Sequence, residues 1–286
     1  MNNTSMLDNL LETLIECNEY HVPKKNLYVL LKQLARLEIE KNYKDNGGSF
    51  NFKWFGEIKL PYYAMGNVSS INLFDLDELI IFSFYWLNKS RYKKVIDIGA
   101  NIGLHSIILA KLGYEVNAYE PEHDHYSKLE KNLALNNVKV KAKKVAISNK
   151  FGEATFIKVL GNTTGSHISG SKPNPYGELE KIKVNLEPFN EIVKEADLIK
   201  MDVEGHEAEI LLSTTENNWR QTDAIIEIAS EQNAKKIYEH FKDTNVNLFS
   251  QKTGWQKVHS IENMPVSYKE GSLFLSAKNQ MPWCAA

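Results

Sequence analysis

The sequence has few cysteines, no long apolar run and no excess of either charge. Its only cysteines, Cys17 and Cys284, lie far apart, so no disulfide framework is expected and a reducing compartment is favoured. The 34 basic residues nearly balance the 36 acidic ones, which argues against a nucleic-acid partner. No stretch reaches the roughly 18 apolar residues of a membrane span. Residues 1–5 also lack the basic start of a signal peptide. We therefore expect a cytoplasmic protein without a transmembrane segment.

The segment Val95–Gly103 lacks the glycines that a dinucleotide site requires. It reads VIDIGANIG, a β-branched run and a turn, and an apolar pattern of helical spacing follows it. A G-x-G-x-x-G fingerprint starting at Gly99 would need glycine in place of Asn101 and Leu104, and no G-x-x-x-x-G-K-[ST] phosphate loop is present. An NAD-dependent oxidoreductase is therefore only an alternative. Gly99 and Gly103 still predict a turn against which a nucleotide cofactor can lie.

From residue 94 onward, predicted strands and helices alternate, which is typical of a doubly wound parallel sheet. The predicted strands are 94–98, 115–119, 138–147, 197–201, 224–228, 246–250 and 272–276. The predicted helices between them are 104–112, 123–136, 206–213 and 232–242. Before them, residues 7–15 and 27–39 predict a helical hairpin, an aromatic-rich segment predicts a short β-hairpin, and a helix is expected to begin near Asp75 or Asp77. We expect an N-terminal segment of residues 1–70 and a catalytic domain of residues 71–286.

Acidic residues follow three of the predicted strands. Asp202 and Glu204 come after strand 197–201, Glu227 closes strand 224–228, and Glu120 follows strand 115–119. Because ligands of an open parallel sheet bind beyond the carboxyl ends of its strands, Asp202 and Glu204 should face the same crevice as the Gly99 turn. Glu120 is suited to bind the two hydroxyls of a ribose.

Three segments, taken in order, resemble one enzyme family. Asp97–Gly103, Glu120–Pro121 and the stretch IKMDVEGHE at 199–207 closely resemble the FkbM-type O-methyltransferases, over about residues 73–277. The resemblance implies an α/β fold, the Rossmann-like seven-stranded sheet of class I methyltransferases, here with an N-terminal helical appendage. It also implies S-adenosylmethionine as cofactor and a hydroxyl acceptor on a sugar, a polyketide or another natural product. The cofactor-binding residues that it implies are Asp97, Gly99, Ala100, Asn101, Gly103, Glu120, Pro121 and Ser148.

The acceptor and its activation stay open at the level of sequence. The whole chain also resembles lipopolysaccharide O-antigen methyltransferases, which implies a carbohydrate acceptor, a sugar hydroxyl of a surface polysaccharide. We expect Asp202, Glu204 and His206 to be catalytic, with His206 as the general base because an ordinary histidine titrates near pH 6.5. Alternatively, Asp202 and Glu227, with Glu204, hold a divalent cation such as Mg²⁺ that acidifies the hydroxyl. A small natural product as acceptor and a non-catalytic glycan-binding protein remain further alternatives.

Three further segments each have alternative roles. The Gly/Ser-rich residues 161–177 predict either a lid over the acceptor, with Asn162 and His167 as contacts, or a plain mobile loop. Within it, Asn174-Pro175-Tyr176 only partly matches the N-P-P-Y element of DNA amino-methyltransferases. The N-terminal hairpin is expected to pack on the catalytic domain, to form a homo-oligomer or to lie on a membrane, in decreasing order of expectation. The aromatic residues after it are expected in the core more often than against a sugar ring.

Overall fold

The N-terminal part contains the predicted helical hairpin and β-hairpin and the helix that leads into the main sheet. The structure is a computed structural model that describes residues 5–172 and 177–283; Cys284 and the triplet 174–176 lie outside these ranges. The elements are α1 (Met6–Glu16), α2 (Asn26–Asn46), β1 (Ser49–Phe52), β2 (Gly56–Lys59), β3 (Ala64–Met65), β4 (Val68–Ser69) and α3 (Leu76–Leu87). Asp75 precedes helix α3, and its carboxylate accepts a hydrogen bond from the Asp77 amide and so caps the helix.

The rest of the chain has the predicted alternation of strands and helices except between β7 and β11, where five strands follow one another and β9, β10 and β11 were not predicted. Its elements are β5 (Lys94–Ile98), α4 (Leu104–Lys111), β6 (Glu115–Tyr119), α5 (His123–Leu135), β7 (Val140–Lys143), β8 (Ala146–Ser148), β9 (Gly152–Val159), β10 (His167–Ile168), β11 (Leu179–Pro188), α6 (Phe189–Ile192), β12 (Leu198–Met201), α7 (Glu207–Leu211), β13 (Asp223–Glu227), α8 (Glu231–Phe241), β14 (Asn247–Ser250), β15 (Gln256–Lys257) and β16 (Ser272–Ser276). The prediction of one strand over 138–147 is wrong. Strand β7 belongs to the main sheet, whereas β8 pairs in parallel with the distant strand β11 in a smaller sheet.

The main sheet has the strand order expected of class I methyltransferases. Across the sheet the order is β7-β6-β5-β12-β13-β16-β14, with the two-residue β15 added at the edge. All neighbours from β7 to β13 are parallel, and β16 runs antiparallel between β13 and β14. The predicted fold class is therefore confirmed. The chain reverses its direction of travel across the sheet between β5 and β12, and ligands of such sheets bind at the strand ends beside this point.

The Gly/Ser-rich segment is partly built into the smaller sheet, whose strand order is β10-β9-β11-β8. Residues 163–165 form a 3-10 turn, and β10 then pairs antiparallel with β9. Gly66 and Asn162 form a further bridge to the β3–β4 hairpin. The described part of the segment is thus held by backbone pairing to β9 and to the β3–β4 hairpin.

The N-terminal helices share one hydrophobic core with α3, α4 and the main sheet. The buried His21 ring contacts the Leu14 carbonyl oxygen through Nε2 at 2.8 Å and accepts a hydrogen bond from the Trp255 indole through Nδ1 at 3.0 Å. Burial lowers the pKa of His21 to about 4, so the ring is neutral and Nε2 carries the proton that it donates. Trp283 packs edge-on against the same ring. The hairpin therefore packs on the catalytic part, while the division at residue 70 stays a prediction.

The aromatic residues after the N-terminal hairpin pack mainly among themselves and in the core. Trp54 stacks on Trp86 with ring centroids 5.3 Å apart, and Phe55 is buried. Over the two described ranges, no helix has both the length and the apolar character needed to cross a membrane.

Candidate active site

The turn after β5 is pressed against the end of β12. Gly99 has a φ of 75°, and a Cβ placed on it would lie 1.7 Å from the carbonyl oxygen of Asp202, so the position excludes every residue except glycine. The Asp202 amide in turn donates to the Ile98 carbonyl oxygen at 3.0 Å. The predicted cofactor turn and the predicted catalytic carboxylate are therefore fixed relative to each other by backbone contacts.

A first cavity opens beside this turn. Its volume is about 60 Å³. Four of the residues expected to bind the cofactor line it: Gly99, Asn101, Glu120 and Pro121. Ala100 and Gly103 shape the turn behind them, where the Ala100 amide donates to the Tyr119 carbonyl oxygen and the Gly103 amide to that of Ala100.

Glu120 has the environment of a buried ligand acceptor. Its Oε2 accepts a hydrogen bond from the Asn101 amide at 2.8 Å, and its Oε1 accepts one from the Glu122 amide at 2.9 Å. Burial raises the pKa of Glu120 to about 7, although these two backbone hydrogen bonds favour its ionised form. Asn101 Oδ1 is buried without a hydrogen-bond partner in the described part of the chain. A ligand that donates two hydroxyl protons fits this wall.

Asp97 lies behind the turn and does not line the first cavity. It is fully buried, and its Oδ2 accepts a hydrogen bond from the Ser106 hydroxyl at 2.6 Å. Its Oδ1 has no hydrogen-bond partner among the residues described and lies 3.9 Å from Nζ of Lys200. An unsatisfied buried carboxylate oxygen is costly unless a charge or a ligand compensates it. Lys200 supplies that charge.

A second, narrower cavity of about 30 Å³ also borders Asp202. Its polar walls include Asp77, Glu78, His105, Lys200, Asp202 and Glu227. Burial disfavours the charge on Lys200, but the carboxylates around it outweigh burial and raise its pKa, so the ammonium stays protonated. Burial and the neighbouring carboxylates raise the pKa of Glu227 well above its ordinary value. The cavity therefore combines ionised acids, one buried cation and a carboxyl group that favours its protonated form.

The three residues expected to be catalytic occupy different places. Asp202 lines both cavities, whereas Glu204 and His206 line the first. Nε2 of His206 lies 2.9 Å from the Ser148 hydroxyl and Nδ1 lies 3.0 Å from the Ser171 hydroxyl. Burial lowers the pKa of His206. Ser148, the remaining residue expected at the cofactor, is thus held by His206.

Glu204 connects the Gly/Ser-rich segment to the end of β12. It has an uncommon left-handed φ of 53° and pairs with Lys172 of that segment. Burial, with the nearby charge of Asp202, raises the pKa of Glu204 to about 7. Within the same segment Asn162 and His167 are held by internal hydrogen bonds, while Thr163 and Ser166 line the first cavity.

The metal site expected at Asp202 and Glu227 has few ligands. Across residues 5–172 and 177–283, no cluster of three or more His, Cys, Asp or Glu side chains is arranged to hold an ion. Both carboxyl groups border the second cavity, but Nζ of Lys200 lies 4.0 Å from Oδ2 of Asp202. A cation bound there would have to share the carboxylate with this ammonium.

Sequence reasoning missed Glu78, His105 and Lys200. Lys200 belongs to the IKMDVEGHE stretch, but the pattern of that stretch points to its acidic residues and His206. His105 follows Gly103 by two positions, and the spacing there indicates only a helix. Glu78 lies in the first turn of α3, for which the sequence shows only a helix start.

Comparison with known proteins decides the family. Residues 97–252, more than half of the chain, match the methyltransferase FkbM domain. The chain belongs to this family. The FkbM membership confirms the resemblance of its motifs and makes the protein a methyltransferase that uses S-adenosylmethionine. Methyltransferase sdnD of Sordaria araneosa is 28% identical to this chain over 200 residues. The match covers 56% of this chain and 75% of sdnD.

Solved structures give weaker likenesses to this FkbM methyltransferase. The S-adenosylmethionine-dependent methyltransferase of Agrobacterium tumefaciens aligns with a TM-score of 0.36 and 9% identity over 70% of this chain and 61% of that chain. A putative rRNA methylase of Clostridium thermocellum aligns with a TM-score of 0.39 and 11% identity over 68% of this chain and 92% of that chain. The chain thus spans less than two thirds of the Agrobacterium protein.

Proposed function

We propose that this FkbM methyltransferase transfers a methyl group from S-adenosylmethionine to a sugar hydroxyl, in a surface polysaccharide such as a lipopolysaccharide O-antigen. The observation that carries the proposal is the position of Asp202, which borders both cavities. A methyl transfer needs a donor and an acceptor that meet in line at one point. The first cavity has the residues for the donor nucleoside, and the second has hydrogen-bonding groups for a hydroxyl.

In this proposal the residues of the first cavity hold the cofactor. Glu120 accepts hydrogen bonds from the ribose hydroxyls, Asn101 and Pro121 border the nucleoside, and the Gly99 backbone runs beneath it. Asp97, buried behind the turn with its Oδ1 3.9 Å from Nζ of Lys200, orients the residues around the amino-acid part of the cofactor without contacting it. The bound cofactor supplies a methyl group already activated by a sulfonium. The protein then needs mainly to position the acceptor and to receive its proton.

The catalytic roles of Asp202, Glu204 and His206 are part of the proposal. Asp202 is best placed to orient the acceptor hydroxyl because it reaches both cavities. Glu204 is suited to hold the Gly/Ser-rich segment over the site through Lys172, as the lid prediction requires. As a base, His206 would have to release one of its two serine contacts. A Mg²⁺ ion on Asp202 and Glu227 is the second route, and the raised pKa of Glu227 opposes it because a protonated carboxyl binds cations poorly.

The charge of the second cavity supports a neutral acceptor. Asp77, Glu78 and Asp202 border it with carboxylates, and Lys200 is paired to acids already. Such a wall repels phosphate and carboxylate groups and suits hydroxyls, which donate hydrogen bonds to carboxylates. The narrower form of the proposal, the 2-hydroxyl of a terminal perosamine, is supported only by the whole-length resemblance. A hydroxyl of a small natural product fits the same wall.

We place this activity in the cytoplasm, as the sparse cysteines favour, and propose a homo-oligomer formed through α2. Leu27, Leu30 and Leu37 are exposed on this helix with spacings of three and seven, which puts them on one face. Sedimentation velocity tests the contact: the wild-type protein should form a dimer and Leu30→Glu should be a monomer. A monomeric wild-type protein would contradict it.

Two measurements test the function itself. Calorimetric titration with S-adenosylhomocysteine should show binding, and Asp97→Ala or Glu120→Ala should weaken it. Incubation with S-adenosylmethionine and a panel of methyl glycosides should then give products with one added methyl group by mass spectrometry. A protein that binds the cofactor product but methylates none of the sugars would refute the sugar acceptor, while absent binding would refute the donor site.

A further inference from the structure

We propose that Glu78 accepts the proton that the acceptor hydroxyl loses in the second cavity, and that His105 and Tyr85 hold its carboxylate in place. The inference rests on the proposed function, since it concerns the same methyl transfer. It assigns Glu78 as a catalytic residue and the other two as positioning residues.

A chain of polar contacts leads from the core to the second cavity. Tyr85 is fully buried, and its hydroxyl lies 2.9 Å from Nδ1 of His105. Nε2 of His105 lies 2.5 Å from Oε2 of Glu78. The Glu78 side chain keeps 30% of its surface exposed and borders the cavity, whereas that of His105 keeps 10%. Helices α3 and α4 therefore hold the carboxylate from behind and leave part of it free to meet a ligand.

The electrostatics keep Glu78 ionised. Burial alone would raise its pKa, but the His105 charge and hydrogen bond, with Lys200 and Lys32, outweigh burial and hold the pKa below its usual range. Such a carboxylate is a weak base, yet it is sufficient for this reaction. An oxygen that gains a methyl group while it still holds its proton becomes far more acidic than any carboxylic acid.

The step balances with the donor that the family uses. Glu78 takes the proton from the acceptor oxygen as that oxygen forms its bond to the methyl carbon. The carbon–sulfur bond breaks and its electron pair stays on sulfur. A sulfonium, a neutral hydroxyl and a carboxylate thus give a thioether, a methyl ether and a carboxylic acid, and no other reactant is needed.

The other acidic and basic groups of the second cavity are less suited to this role. The Asp77 oxygens are already held by Tyr28, Lys32 and Gln251. Glu227 favours its protonated form and Lys200 its charged form, so neither is free to accept a proton. Asp202 remains the residue that orients the hydroxyl, since it borders both cavities.

Kinetics test the catalytic residue. Glu78→Gln should lower kcat by about 100- to 10,000-fold, the usual contribution of a positioned base, while the Kd for S-adenosylhomocysteine stays within twofold. The unchanged Kd also shows that the variant is folded. Glu115→Gln is the matched control, because Glu115 is exposed and lies at the opposite end of the strands. It should retain wild-type kcat. A Glu78→Gln enzyme within threefold of wild type would overturn the proposal.

The positioning residues have their own signature. His105→Leu should lower kcat about tenfold with little change in the KM for the methyl glycoside, and His105→Gln, whose amide N–H can replace Nε2 toward Glu78, should recover part of the loss. Equal losses in the Leu and Gln variants would contradict a role through Glu78. A KM that rises with no loss of kcat would also contradict it, because that pattern indicates acceptor binding only.

A binding measurement separates this inference from the proposed function. Enzyme labelled with [¹⁵N]histidine and saturated with S-adenosylhomocysteine is titrated with methyl α-D-glucopyranoside and, as the charged match, methyl α-D-glucuronide. The neutral glycoside should shift the His105 signals and the uronide should not. If no neutral glycoside shifts them, the assignment of the second cavity is wrong. If they shift but no methylated sugar forms, the proposed reaction fails while the cavity assignment stands.

Discussion

Replacing Gly99 by alanine should damage both stability and cofactor binding. The added Cβ would lie 1.7 Å from the Asp202 carbonyl oxygen and 2.9 Å from its carbon, and neither backbone atom can rotate away. A left-handed backbone costs a non-glycine residue about 1–2 kcal/mol. Overpacking adds about 1–3 kcal/mol, so we expect Gly99→Ala to lose about 2–5 kcal/mol of unfolding free energy. The strain is relieved only if Asp202 moves away from the turn. Because Asp202 borders both cavities, this movement should change their relative position and weaken cofactor binding.

Gly113 supplies the matched control for this substitution. It has a similarly positive φ of 92°, but a Cβ there would meet nothing within 4 Å. Gly113→Ala should therefore lose only the backbone cost of about 1–2 kcal/mol and bind normally. Urea unfolding followed by circular dichroism measures the stabilities, and calorimetric titration with S-adenosylhomocysteine measures the binding. If the two variants lose equal stability and bind alike, the close contact between the turn and Asp202 has no energetic role.

Three further predictions concern the carboxylates of the site. Asp202→Asn should abolish turnover while the affinity for S-adenosylhomocysteine stays within a few fold of wild type; wild-type rates would remove Asp202 from the chemistry. The pKa of Glu120 is about 7, and its ionised form accepts the ribose hydroxyls. The affinity for S-adenosylhomocysteine should therefore fall about tenfold per pH unit below pH 7, whereas Glu120→Gln should bind weakly and equally at every pH. Activity should persist in EDTA, because Lys200 already places a positive charge 4.0 Å from Asp202; a loss that Mg²⁺ restores would establish the metal route instead.

The pKa of Glu120 also makes the stability of the ligand-free protein depend on pH. This dependence is opposite in sign to that of the affinity for S-adenosylhomocysteine. Folding raises this pKa from 4.5 to about 7, so the folded chain holds the proton more tightly than the unfolded chain does. The stabilisation from Glu120 is therefore complete below pH 4.5 and is lost as the pH rises through about 7. Urea unfolding of the wild type and of Glu120→Gln between pH 5 and 8 measures it, and an identical slope for the two would contradict it.

The features that local sequence encodes were predicted well. The β-branched run Val95–Ile98 and the glycines after it define a strand and a turn without help from the rest of the chain, and the strands around it are similarly regular. The strand predicted over 138–147 failed for a non-local reason. Ala146 pairs with Leu186, forty positions later, and this pairing draws β8 out of the main sheet.

The second cavity could not be predicted because its residues meet only through helix packing. Glu78 and His105 lie on α3 and α4, which are separated by a strand, and nothing near either residue indicates that the two side chains touch. The Gly/Ser-rich segment shows the same limit. Its composition suggests a flexible backbone, yet β10 pairs with β9 and the Ser171 hydroxyl contacts the His206 ring.

The buried His21 has a consequence for how the chain is made. Its ring is completed by the Trp255 indole, 234 positions further along the chain. At a synthesis rate of about 5–20 residues per second, the ribosome delivers that partner on the order of 10–50 s after His21. During this interval the surface on which the N-terminal helices pack is incomplete. Their apolar faces are therefore exposed to chaperones or to other nascent chains. Translation past Trp255 therefore completes the core that α1 and α2 begin.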